Sequence, residues 1–282
     1  MKTADSKNKI SKQSDSQIDK KQILSAIKVV KSLYAAQKTG TSDLFELSKN
    51  PFVYMNFIVN KLPDVNYYKD TKLQLANSIH GKAFETRALF ITTNEFKEAN
   101  SAVLKEFAGD WKFIRYEKIK KNFKEYKDKR GLLNNYDLFF CDKALVGTLK
   151  KSLGTKFFER KKYPVPVDVS PLKTDAPVTK QQLGEFLGQL TDNCTYLHLG
   201  QGTEFSVKIG RSEKMADIDV LKNALSAFKE IVRVFKGLGL SLKNIRRVVI
   251  RAEQSESLPV YSYLTDEEKQ VLKKVVNRKE SK

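Results

Sequence analysis

Tyr136-Asp-Leu-Phe-Phe-Cys141 is a short apolar run, and a segment with helical periodicity follows it directly. Such runs alternate with amphipathic segments, which predicts strands at 88–93, 112–114 and 136–141 and helices at 95–107, 116–130 and 142–153. Short strands that are apolar throughout are typical of a parallel sheet buried on both faces. Residues 86–162 are therefore predicted to form a small Rossmann-like α/β domain.

The segments on both sides of this domain have a different, α+β character. Their expected elements are a helix from about Asp19 to before Thr39, helices at 178–190 and 217–236, strands at 52–59, 67–79, 195–199, 204–209 and 245–251, and an edge strand or linker at 163–167. Neither flank is long enough to fold comfortably alone. Residues 20–85 and 163–264 are therefore predicted to pair into one split domain around the inserted one.

The two ends of the chain are polar and charged. Residues 1–19 contain Ser, Lys, Asp, Gln and Asn with almost no apolar anchor, which predicts a disordered basic tail. Residues 265–282 are expected to form a charged C-terminal helix or tail.

The chain carries a large excess of positive charge. Over 282 residues, 52 Lys and Arg against 33 Asp and Glu give a formal net charge of +19. A compact protein with this charge repels itself unless a polyanion such as nucleic acid, or an anionic membrane, neutralises it. No apolar run approaches the roughly 20 residues that span a bilayer, and the first 22 residues show no secretory signal. A membrane-surface helix at 21–36 is disfavoured because only Lys28 and Lys31 flank its apolar face.

Side chains suited to catalysis or metal binding are scarce. His80 and His198 have no partner at a recognisable spacing, which disfavours a catalytic triad or a metal site. Gly200-Gln-Gly202 lies between two predicted strands and is interpreted as a turn, because a dinucleotide fingerprint would lead into a helix. Cys141 and Cys194 lie in apolar runs and are predicted to be buried free thiols. We therefore expect no enzymatic activity, no cofactor and no metal ion.

The positive charge is concentrated in the predicted middle domain. Residues 112–130 hold nine basic and three acidic side chains, and residues 150–162 hold six and one, which gives net charges of +6 and +5. Lysines neutralise phosphates, and exposed rings stack on bases. Ile119, Phe123 and Tyr126 recur at helical spacing, however, and are expected to be core contacts. The charge rather than the rings therefore predicts contact with RNA.

Four stretches of the sequence together carry a family resemblance. They are Tyr136-Asp-Leu-Phe-Phe-Cys-Asp-Lys143, Leu149-Lys-Lys-Ser-Leu-Gly-Thr-Lys-Phe-Phe-Glu-Arg-Lys-Lys-Tyr-Pro-Val-Pro-Val167, Phe205-Ser-Val-Lys-Ile-Gly210 with the helix after it, and Val248-Val-Ile-Arg-Ala-Glu-Gln-Ser-Glu-Ser-Leu-Pro-Val-Tyr261. In this order and spacing they resemble the ribosomal protein L1 family, and the likeness covers about residues 20–264. It implies a two-domain ribosomal L1-like α/β fold: a split α+β domain with an inserted, three-layer, Rossmann-like α/β domain.

Two segments depart from the ribosomal members of that family. Those members carry an RNA-contacting Thr-Met-Gly turn where this chain has Glu253-Gln-Ser-Glu-Ser257, and a Gly/Met/Asn/Pro-rich segment where it has Arg160-Lys-Lys-Tyr-Pro-Val-Pro166. The forms Ser257-Leu-Pro-Val-Tyr261 and Phe157-Phe-Glu-Arg-Lys-Lys162 are similar to the non-ribosomal branch, which acts in pre-ribosome assembly in the eukaryotic nucleolus. The resemblance implies a non-catalytic, nucleolar factor, monomeric within a large particle and most readily a large-subunit precursor. Its partners would be pre-ribosomal RNA, other assembly factors and ribosomal proteins, with no membrane involved.

The residues predicted to bind RNA come from the basic segments and from the family likeness, in which Phe52 matches a phenylalanine that packs on RNA. They are Phe52, Lys118, Lys120, Lys121, Lys124, Lys127, Arg130, Lys150, Lys151, Arg160, Lys161, Lys162 and Arg251.

Other functions stay open at this point. The chain could be a small-subunit assembly component or a true large-subunit ribosomal protein, although the altered turn at 253–257 argues against the latter. It could also be a protein-interaction module within pre-ribosomes that meets RNA only incidentally.

Overall fold

A computed structural model describes residues 19–39, 51–63, 69–80, 86–107, 111–159, 162–172, 178–200, 202–252 and 255–263. The predicted basic tail, apart from Asp19, and the predicted C-terminal helix or tail at 265–282 lie outside these residues.

The described chain contains both α-helices and β-strands. The α-helices are α1 (Lys20–Thr39), α2 (Asn94–Ala99), α3 (Ser101–Glu106), α4 (Tyr116–Asn122), α5 (Tyr126–Asn135), α6 (Val146–Leu153), α7 (Lys156–Glu159), α8 (Lys180–Thr191) and α9 (Asp217–Gly237). The strands are β1 (Phe52–Val59), β2 (Lys69–Gln74), β3 (Ala88–Thr92), β4 (Trp111–Arg115), β5 (Leu138–Asp142), β6 (Val165–Val167), β7 (Cys194–Leu199), β8 (Glu204–Arg211), β9 (Ile245–Ala252) and β10 (Leu258–Ser262). Short 3-10 helices lie at Lys143–Leu145, Ser170–Leu172 and Leu242–Asn244.

The chain divides into two compact units. The terminal unit comprises the described residues up to Asn77 and from Cys194 onward, and the central unit comprises Ser78–Asn193. The predicted boundaries at 86 and 162 differ from these, because residues 163–193 are attached to the central unit. β6 pairs with β5, the Val178 N–H donates to Asn100 Oδ1 at 3.0 Å, and α8 begins with an ion pair between Lys180 and Glu106 at 2.7 Å.

The terminal unit is built on an antiparallel sheet in the order β10-β9-β1-β8. One face of the central strand β1 packs against α9, where Phe57 contacts Phe228 and Phe235 with ring centroids 6.0 Å and 6.2 Å apart. Gly210 allows β8 to approach α9, because a Cβ there would lie 2.8 Å from a Val220 methyl group. A second, two-stranded sheet pairs β2 with β7.

The central unit is built on a parallel sheet in the order β4-β3-β5-β6. One face carries a buried cluster that joins Ile91 and Cys141 of the sheet to Ile119 of α4, Leu132 of α5 and residues of α6 and α7. Alternation along the strands directs Phe90, Trp111, Phe113 and Phe140 to the opposite face, where their rings pack together. The predicted parallel α/β sheet is therefore present, with β4 and β6 as its edges.

Two of the predicted helices are each two helices in the structure. The expected helix at 95–107 is interrupted at Asn100, whose side-chain Nδ2 donates to the Phe96 carbonyl. The expected helix at 116–130 ends at Asn122, and the next one begins at Tyr126. The helices at 116–122 and 126–135 each have buried apolar side chains. The chain turns at residues 123–125 between them, so a single helical periodicity does not continue through both.

Candidate nucleic-acid interface

Six predicted RNA-binding cations lie on α4, on α5 and between them. Ile119 of α4 and Leu132 and Leu133 of α5 are buried and hold the two helices against the sheet. The remaining positions face solvent, and the following side chains are all exposed: Lys118, Lys120, Lys121, Lys124, Lys127 and Arg130. We call these six residues the basic surface.

The basic surface is not neutralised by neighbouring acids. None of its six side chains has an ion pair or a hydrogen bond among the described residues, whereas the nearby Arg115 is bound to Glu98 at 3.0 Å. Uncompensated cations at this density retain mobile counterions. A polyanion that binds there releases these counterions and gains free energy from their release.

Lys97 is a half-buried cation among other cations on this side of the central unit. Burial lowers the pKa of its ammonium group, and the charges of Arg115, Lys118 and Lys112 lower it further. The Lys97 Nζ donates to the Phe113 carbonyl at 2.6 Å. The cation therefore stays beside β4 although its neighbours repel it.

The aromatic residues of this region differ from the expectation in one case. Ile119 is buried and Phe123 is half-buried against the same cluster, as predicted. Tyr126, expected in the core, is 78% exposed, because the chain breaks after Asn122 and Tyr126 starts a new helix. Lys129 Nζ lies 5.9 Å from the centre of its ring. Tyr126 is thus an exposed ring beside the basic surface, which spacing alone could not identify.

The second basic segment contributes less than its composition suggests. Lys151 is exposed, but Arg160, Lys161 and the side chain of Lys150 lie outside the described residues. Lys162 has a structural role: its Nζ donates to the carbonyls of Leu133 and Tyr136 at 3.1 Å and 2.9 Å. These carbonyls end α5, so this ammonium caps a helix instead of projecting towards RNA.

In the terminal unit, Phe52 lies on the sheet face opposite α9. Its side chain is only 7% exposed. The Arg211 guanidinium carbon and the Lys208 Nζ lie 3.7 Å and 4.2 Å from the ring centre. The ring is therefore covered and does not present a free face for a base to stack on.

Arg251 lies on the same sheet face as Phe52. It faces Tyr54 in the β1–β9 register, and its guanidinium carbon is 5.6 Å from the centre of that ring. The Arg251 Nε is buried without a hydrogen-bond partner, and no hydrogen bond or ion pair of this side chain occurs among the described residues. Sequence reasoning selected Phe52 and Arg251 but missed Tyr54, Lys208 and Arg211. Strand alternation was the signal that relates Phe52 to Tyr54.

The two histidines belong to different compact units. His80 is buried. His198, expected to have no recognisable partner, hydrogen-bonds through Nδ1 to Asp70 Oδ1 across the β2–β7 pair. That pairing joins residues far apart in sequence, so spacing could not predict it. Among the described residues, no group of three or more His, Cys, Asp or Glu is arranged to hold a metal ion.

Two further observations concern the cysteines and the apolar character of the helices. Cys141 and Cys194 are both buried free thiols, which confirms that prediction. In the part of the chain that the structure describes, no helix has the length and apolar character needed to cross a membrane.

Comparison with known proteins finds one matching family and several similar proteins. The model of the ribosomal protein L1p/L10e family matches residues 8–256. The mouse (Mus musculus) protein named "Ribosomal L1 domain-containing protein 1" is 23% identical over 253 residues, which cover 87% of this chain and 52% of that protein. A Schizosaccharomyces pombe protein named "Putative ribosome biogenesis protein C8F11.04" is 25% identical over 149 residues, or 53% of this chain and 37% of that protein. The chain thus spans about half or less of the length of these relatives.

Proposed function

Because this chain belongs to the ribosomal protein L1p/L10e family, we propose that it is a non-catalytic ribosome assembly factor that binds precursor ribosomal RNA. The observation that carries this proposal is the basic surface of α4 and α5, with six exposed cations that have no acidic partner among the described residues. Phosphate neutralisation at this surface supplies most of the affinity. The shape of the folded RNA supplies the specificity.

The relatives' names and the sequence support a proposal about the setting. One relative is named for an L1 domain and another for ribosome biogenesis. The acidic stretch Glu253-Gln-Ser-Glu-Ser257 in place of a Thr-Met-Gly turn favours the non-ribosomal branch. We therefore assign the protein to the nucleolus, as a monomer within a large-subunit precursor. Its partners there are pre-ribosomal RNA, other assembly factors and ribosomal proteins.

Charge reversal on the basic surface tests RNA binding directly. The variant Lys120→Glu/Lys121→Glu/Lys124→Glu is compared with Lys28→Glu/Lys236→Glu/Lys243→Glu, which changes the net charge equally at exposed lysines of the terminal unit. Affinity for a structured ribosomal RNA fragment is measured by fluorescence anisotropy at several salt concentrations. We expect the first variant to bind more weakly and to reduce the slope of log affinity against log salt by about three.

The control variant is expected to keep most of the slope. Equal losses in both variants would mean that net charge alone attracts RNA, and wild-type binding that does not change with salt would refute the electrostatic proposal. In cells, sedimentation with precursor particles is the expected behaviour. Sedimentation with mature translating ribosomes would instead identify a ribosomal protein.

A further inference from the structure

A cleft of about 690 Å³ lies beside the edge strand β4 of the central unit. Residues of α2, α3, β4, α4 and α5 line it, so all of its described walls belong to one compact unit. Its volume falls within the roughly 300–1,000 Å³ that small-molecule sites occupy. The cleft is therefore large enough to hold a group of nucleotide size.

Aromatic side chains form part of the lining. Trp111 and Phe113 lie on β4 with ring centroids 6.3 Å apart and planes inclined by 18°. Phe123, which precedes α5, and Tyr136, which follows it, are half-buried and complete this lining. Trp111 and Phe113 are only 8% and 7% exposed, so a base stacks on the more exposed Phe123 and Tyr136. Such rings receive bases of any identity, because every base has a π-face.

Positive charge surrounds the aromatic lining. Among the described lining residues, five lysines stand against the single acid Asp128: Lys97, Lys105, Lys112, Lys118 and Lys127. The last four are exposed, with no ion pair or hydrogen bond among the described residues. Burial, and after it the charges of cationic neighbours, lowers the pKa of Lys97 and disfavours its charged form. An anion in or near the cleft relieves this repulsion.

We propose that the cleft binds an unpaired nucleotide of a single-stranded RNA segment, with the base against the aromatic lining and the adjacent phosphates on the lysines. This proposal rests on the RNA-binding function proposed above and adds the form of RNA that the site takes. Bases in a duplex stay stacked and paired and are not free to enter such a cleft, whereas loops and ends splay their bases out.

The lysines have a simpler alternative role, which is to protect the edge of β4. Charged side chains on an edge strand prevent another strand from pairing with it. That role requires neither a cleft nor an aromatic lining. The combination of lysines with Trp111, Phe113 and Phe123 around one cavity favours a ligand that is both anionic and aromatic.

Gly131 offers a substitution that obstructs the cleft without removing a side-chain contact. It lines the cleft within α5, and a Cβ added there meets no heavy atom within 4 Å. Replacement of a helical glycine also favours the helix. Gly131→Leu therefore fills part of the cleft in a folded protein, and Gly131→Ala is the matched control with a minimal side chain.

Trp111 provides a direct report of occupancy, because it is the sole tryptophan of the chain and lines the cleft. The full-length protein is titrated with single-stranded oligouridine of about ten nucleotides, a length within the range of known single-strand sites. An abasic oligoribonucleotide of equal length and a blunt-ended RNA duplex, which has no unpaired nucleotide, are titrated in parallel. Tryptophan fluorescence and anisotropy of the labelled RNA are both recorded.

We expect oligouridine to quench Trp111, and the abasic strand and the blunt-ended duplex to bind without quenching it. Gly131→Leu is expected to weaken oligouridine binding about tenfold, the loss of one stacked base. Oligouridine binding by Gly131→Ala and duplex binding by Gly131→Leu are expected to stay near wild type. Unchanged oligouridine binding by Gly131→Leu, or equal quenching by the abasic strand, overturns the cleft proposal although RNA binding persists. If no RNA binds at all, the proposed function itself fails.

Discussion

The Arg211 guanidinium carbon lies 3.7 Å from the centre of the Phe52 ring, and Lys208 Nζ lies 4.2 Å from it. A cation over an aromatic face is attracted by the negative charge density of the ring. Phe52, which the family likeness assigns to RNA, is thus covered by cations of its own unit.

Substitution of Phe52 is therefore expected to affect stability more than RNA affinity. Phe52→Ala removes a nearly buried ring and should lower the free energy of unfolding by about 3 kcal/mol. Phe52→Leu keeps most of the apolar volume and should leave RNA affinity within about twofold of wild type. Unfolding is followed by circular dichroism, because the sole tryptophan lies in the other unit. A tenfold loss of RNA affinity in a stable Phe52→Leu protein would show that the ring itself contacts RNA.

Lys162 is expected to behave as a helix cap. Lys162→Gln removes the ammonium that binds the carbonyls of Leu133 and Tyr136. The free energy of unfolding should fall by about 1 kcal/mol, measured by urea denaturation with Trp111 fluorescence. Lys151→Gln, at an exposed position, is the control and should cost almost nothing. If Lys162→Gln loosened RNA without loss of stability, the lysine would belong to the interface after all.

Burial of Lys97 and repulsion by its cationic neighbours predict how the stability of the central unit depends on pH and salt. Both causes hold its folded pKa below 10.5, so on approach to that pH the folded protein releases this proton before the unfolded chain does. The unfolded state then binds more protons, and the free energy of unfolding rises with pH. Below the folded pKa the cost of burial and the repulsion act in full. Added salt should stabilise the unit by screening the same charges.

Lys97→Met keeps an unbranched apolar side chain and removes the charge. We expect this variant to show a smaller rise in the free energy of unfolding with pH below about 10.5, and a smaller stabilisation by salt. Both are measured by urea denaturation with Trp111 fluorescence. Lys143→Met removes a charge at an exposed lysine that is not among the causes of the Lys97 shift. An identical response in the two variants would mean that general charge repulsion, and not this cluster, is responsible.

Much of the fold was predictable because it depends on local periodicity. The apolar runs at 88–93 and 136–141 became buried parallel strands β3 and β5, and the amphipathic segment at 217–236 became α9. The attachment of residues 163–193 to the central unit was not predictable. It depends on pairing between β5 and β6 and on a hydrogen bond from Val178 to Asn100, contacts that join residues far apart in sequence.

The excess of positive charge and its concentration at 112–130 are properties of composition, so the sequence by itself determined them. Only the tertiary structure decided which of these cations are available to contact RNA. Lys124 is exposed without a partner among the described residues, whereas Lys162 is held by the end of α5. The physical reason is that the formal charge of a side chain is set by its residue type alone. Its compensation depends on carbonyls, carboxylates and rings that folding brings beside it from elsewhere in the chain.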